Sequence, residues 1–154
     1  MQVRDLRYEP PRRWNEELDG VAWLPRLIDK ARAALNGTLG TYLYGQSPVD
    51  RDFLHTLGLG HRAFAEIVAN APDDRAVVEA LLARDPASMD RARRWTEQYP
   101  RTFGWFMYTL DLDDGYASRM GFLKPLCNVL SNGITWVMKR MYPKRPTEGI
   151  TSRW

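Results

Sequence analysis

Between Trp23 and Leu35 the apolar residues Leu24, Leu27, Ile28, Ala31, Ala34 and Leu35 recur every three or four positions, while Arg26, Asp29, Lys30 and Arg32 fill the gaps between them. Such spacing predicts one amphipathic helix over 25–35, opened by Pro25 and stopped at Asn36-Gly37. Any fold has to bury its stripe and find a place for four charges on three turns.

The rest of the chain is punctuated in the same way. Pro10-Pro11 makes residues 1–13 an extended lead-in, because the residue before a proline is pushed out of helical geometry. Glycines and the Tyr42-Leu43-Tyr44 triplet favour a loop or short extended piece over 37–45. Ser47-Pro48-Val49-Asp50 has the form of a helix start, with a hydroxyl cap, proline in the first turn and an acid behind it. Phe53, Leu54 and Leu57 then face inward until Gly58-Leu59-Gly60. The stripe Phe64, Ile67, Val68 and Ala71 gives a further helix stopped at Pro72, and Asp73 or Asp74 caps one carrying Val77, Val78, Leu81 and Leu82. Asp85-Pro86 opens a helix through Met89, Ala92 and Trp95. After Pro100, the run Phe103, Trp105, Phe106, Met107, Tyr108 and Leu110 is apolar on nearly all sides, as a central helix or a buried segment would be, and Asp111–Gly115 ends it. The fold class is therefore all-α, a compact bundle of six or seven short helices.

A length of 154 residues suits one domain with a real core. The net charge of +3 hides an asymmetry: residues 1–115 carry −3 and residues 116–154 carry +6. The organisation expected is a lead-in over 1–13, a helical domain over 14–115, and a basic amphipathic C-terminal helix and tail over 116–154. Met120, Leu123, Cys127, Leu130, Ile134, Val137 and Met141 form the tail's apolar stripe. It completes the core, pairs two copies in a homodimer, or lies on a membrane surface with Lys139, Arg140, Lys144 and Arg145 at the headgroups. Polar interruptions argue against a transmembrane span. A single cysteine and a polar N-terminus make the cytoplasm the expected compartment.

Catalytic motifs are sparse. Gly58-Leu-Gly60-His-Arg-Ala63 has the letters of a dinucleotide fingerprint but follows a helix and not a strand, so it reads as a helix–turn–helix junction. His55 and His61 lack the partners of a metal site, and no cofactor motif is present. Nucleic acid is not expected, since basic residues do not alternate with aromatics along a groove. What remains is the charged row. Arg26, Asp29 and Lys30 share a helix face, and Asp29 can pair forward with Arg32. One reading is a solvated face of ordinary ion pairs. The other is a site for an anionic small molecule, with Asp29 orienting the cations toward a carboxylate or phosphate. An alternative is a cofactor-independent enzyme in which Asp29 or Lys30 transfers a proton and Tyr42 or Tyr44 positions the substrate.

Leu24-Pro-Arg-Leu-Ile-Asp-Lys-Ala-Arg-Ala33, Gly37-Thr-Leu-Gly-Thr-Tyr42, Pro48-Val-Asp50 with Phe53-Leu54, and Leu57-Gly-Leu59 together resemble the successive motifs of the bacterial proteins catalogued as domain of unknown function 5069. The resemblance covers about residues 14–115; Tyr116 stands where the family is expected to continue with arginine. It implies no reaction. It does imply that the helix at 25–35 and the loop at 37–48 form one site, to which Arg26, Asp29, Lys30, Arg32, Tyr42 and Asp50 belong.

Overall fold

The computed structural model describes residues 3–116; the expectations for the C-terminal helix and tail lie outside them. A two-residue hairpin precedes the helices, with β1 (Glu17–Leu18) antiparallel to β2 (Val21–Ala22). Its turn is Asp19-Gly20, both with positive φ (53° and 73°), the pattern of a type I′ turn. Five helices follow among the described residues: α1 (Leu24–Leu35), α2 (Pro48–Thr56), α3 (His61–Asn70), α4 (Asp74–Arg84) and α5 (Ser88–Asp113). The chain is all-α.

Local chemistry sets most of these boundaries. Ser47 accepts from the Asp50 amide and Asp73 from the Ala76 amide, so α2 and α4 each begin on a side-chain cap. Helix α1 ends in a Schellman pattern: the Thr38 amide donates to the Ala33 carbonyl and the Gly37 amide to that of Ala34, with Gly37 at a φ of 68°.

The chain does not break at Pro100. Helix α5 runs unbroken for 26 residues with Pro100 inside it. Proline removes one amide and crowds the carbonyl four residues earlier. Burial on either side offsets that cost: Trp95 and Tyr99, stacked at 4.8 Å, are buried before the proline, and Met107 is buried beyond it. Nor is the second half apolar-buried all round, since Tyr108 is 45% exposed and Phe103, Phe106 and Leu110 are only partly covered. One long helix thus replaces two short ones.

Helix α1 is the centre of the molecule. Every residue from Leu24 to Ala34 is buried, polar ones included. The hairpin, α3 and the segment before Trp14 pack around it. In that segment Leu6 is buried and lies so close to Gly40 that a Cβ there would sit 2.8 Å from the Leu6 carbonyl oxygen. Helix α5 spans the far side, against α2, α4 and β2.

Candidate functional site

The charged row of α1 neither pairs within the helix nor faces solvent. Arg26, Asp29, Lys30 and Arg32 are 2–8% exposed, which overturns the solvated-face reading. Each reaches beyond its own helix. Arg26 Nη1 donates to Asp114 Oδ2 at 2.7 Å, just past the end of α5, and to the Arg12 carbonyl at 3.1 Å. Lys30 Nζ lies 2.6 Å from both oxygens of Asp50 on α2. Asp29 accepts from Arg12 Nε and Nη2 and from the Arg12 amide. Arg32 donates to Asp74 at the start of α4, whose other oxygen takes Arg12 Nη1. The reason is burial. An i,i+4 pair satisfies one or two donors, whereas a charge taken out of water needs nearly all its hydrogen bonds.

The six residues expected to form one site divide into two groups. Arg26, Lys30 and Asp50 converge on Trp23, with Tyr42 against the Arg26 guanidinium, while Asp29 and Arg32 are joined through Arg12 and Asp74. Trp23 sits at the N-cap of α1 with a φ of 68°, a left-handed conformation costly for a bulky side chain. Its surroundings hold it there. The indole Nε1 donates to Asp50 Oδ1 at 3.0 Å, and Lys30 Nζ and the Arg26 guanidinium carbon lie 5.2 and 5.5 Å from its ring centroid. Asp50 also accepts the Gly45 amide, and Tyr42 donates its hydroxyl to Asp114 Oδ1.

The protonation balance follows from burial and neighbours. Burial pulls the Lys30 ammonium below its ordinary pKa, against the opposing pull of Asp50. Tyr42 is pushed far up by burial and then by the charge of Asp114, so its phenol remains a donor. Arg12 resists its own burial because Asp29 and Asp74 both favour its charge.

Beside this centre lies an open cavity of about 750 Å³ between the 45–48 loop, α2 and the start of α3. Pro48, Leu54 and Leu59 line it with apolar surface; Gln46, Arg51, Asp52, His55 and His61 supply its polar groups. Several contacts fix the walls. Trp95 Nε1 donates to Asp52 at 2.7 Å, and the Tyr44 hydroxyl donates to the His61 carbonyl at 2.6 Å. Gly45 leaves no space for a side chain, since a Cβ would stand 2.3 Å from that of His61. Burial, then the charge of Arg62, keeps the His61 imidazole below its ordinary pKa. Helix α3 opens onto this cavity at Gly60 with no side-chain cap and no acidic residue in its first turn. Among the described residues no three His, Cys, Asp or Glu side chains converge as metal ligands.

Sequence reasoning missed Arg12, Asp74 and Asp114 as partners of the charged row, and Trp23 as its hub. No local signal marks them, for Asp29 and Arg12 are 17 residues apart and Arg26 and Asp114 are 88 apart. The two histidines, set aside as metal-site or triad members, line one cavity.

No helix among the described residues is long and apolar enough to cross a membrane. A family model, described as Domain of unknown function (DUF5069), matches residues 8–107, beginning before Arg12 and ending short of Asp111 and Asp114. No curated protein matches the chain.

Proposed function

We propose a function from the premise that the chain belongs to the DUF5069 family: it is a binding domain for an anionic small molecule, which lodges in the cavity between the 45–48 loop, α2 and α3. One observation carries this reading. The uncapped first turn of α3 and the side chains of Arg51, His55 and His61 border the same open space. Free amides at a helix N-terminus, together with donor side chains, suit an anion. Arg26, Asp29, Lys30, Arg32, Tyr42 and Asp50 are then positioning residues. Asp50, fixed by Lys30 and Trp23, holds the Gly45 amide and with it the cavity wall.

Proton transfer by Asp29 or Lys30 gains no comparable support. Asp29 is spent on Arg12 and Lys30 on Asp50, and the hydroxyls of Tyr42 and Tyr44 are spent on Asp114 and the His61 carbonyl.

The test uses Gly60→Asp. Gly60 has the extended backbone of an N-cap and open space around its Cα, so an aspartate fits there without strain. It supplies the missing cap, worth a few tenths to about 1 kcal/mol, and puts a carboxylate where the ligand's charge would sit. Thermal melts of the wild-type protein against phosphate, nucleotides and small carboxylates at fixed ionic strength should show at least one stabilising anion. The variant should be at least as stable alone and lose that gain. An undiminished gain moves the site elsewhere, and no gain in the wild type removes the anionic reading.

A further inference from the structure

Arg26 and Tyr42 hold the Asp114 carboxylate as a receptor holds a ligand. One oxygen takes Arg26 Nη1 at 2.7 Å and the other takes the Tyr42 hydroxyl at 2.8 Å, with both side chains of the ion pair 1–2% exposed. The cradle does not owe its shape to Asp114. The Arg26 guanidinium is held against the rings of Trp23 and Tyr42, with centroids 5.5 and 5.8 Å away, and by the Arg12 carbonyl. Among the described residues its Nε–H is buried without a partner, so part of its capacity is unused. Asp114 reaches the cradle from outside, as the residue that follows the last turn of α5.

We propose that Arg26 and Tyr42 form a binding site for a compact free carboxylate, filled in this structure by the chain's own Asp114. Entry of such a ligand and seating of the Asp114 carboxylate exclude one another, because both would take the same two donors. In the wild-type protein the tethered carboxylate has a high effective concentration and wins against simple acids. Removing it opens the site. This inference is independent of the cavity between α2 and α3.

Asp114→Ala tests it, with sodium acetate and formate as probes and sodium chloride at the same ionic strength as reference. The variant should melt lower than wild type in chloride. Acetate or formate in the tens of millimolar should return about half of that loss or more by mass action, while the wild type responds to them no more than to chloride. Should the variant be unfolded in chloride, the same addition must restore its helical circular dichroism. Adding Tyr42→Phe to Asp114→Ala should weaken the rescue by removing one of the two donors. Absence of rescue, or rescue undiminished by Tyr42→Phe, overturns the proposal.

Discussion

Lys30 and Asp50 show how unevenly two members of a buried ion pair can matter. Among the described residues Lys30 hydrogen-bonds to Asp50 alone, whereas Asp50 collects Lys30, the Trp23 indole and the Gly45 amide. Lys30→Met replaces a buried charge by a side chain of similar length and leaves Asp50 two donors. Asp50→Ala strands a buried ammonium, an indole N–H and an amide at once. Removing one partner of a buried pair costs about 3–5 kcal/mol; Lys30→Met should fall near the lower end and Asp50→Ala beyond the upper. Urea unfolding of both variants checks the order, and a Lys30→Met loss equal to or larger than that of Asp50→Ala contradicts it. The strained backbone of Trp23 belongs to the same account, since Asp50 is what holds its indole.

Among the elements, two glycines separate conformational cost from collision. Gly20 has a φ of 73°, but a Cβ there would meet nothing closer than the Arg93 side chain at 3.7 Å. Gly20→Ala should therefore cost only the left-handed penalty, about 1–2 kcal/mol. Gly45→Ala carries the same penalty and also drives a methyl into His61. It should lower the melting temperature further and change the cavity, whereas Gly20→Ala should leave ligand-induced shifts intact. These elements also mark what the sequence could tell. Helices α1 to α4 were legible because Ser47, Asp73, Asn36 and Gly37 act within a turn of their own positions. The single α5 was not, since Pro100 argues locally for a break and only distant packing overrules it. The Asp19-Gly20 hairpin had its turn signal, but strands of two residues carry no alternation to confirm it. At the site, the charges of α1 could be read residue by residue, yet not their partners, which come from 14 to 88 positions away.

At the scale of the molecule, Asp74 joins the segment before Trp14, α1 and α4 through Arg12 and Arg32. Burial pushes its carboxyl up, but hydrogen bonds from the two arginines outweigh that and hold it below 3.8. Its contribution is thus fully present above the unfolded value and disappears as pH falls through the lower folded one. The melting temperature of Asp74→Asn should be lower than wild type at neutral pH, with the gap closing below about pH 4; a gap that stays constant down to pH ~2.5 would show that Asp74 acts through shape alone. The four charges of α1 have one more consequence. A helix built from Leu, Ile and Ala alone could seat in a core at several azimuths with little to choose between them. Turned by one residue, about 100°, this helix would point Arg26, Asp29, Lys30 and Arg32 at side chains that cannot answer them. The ion pairs therefore work as the wards of a lock, adding less to the strength of the core than to its refusal of every other key.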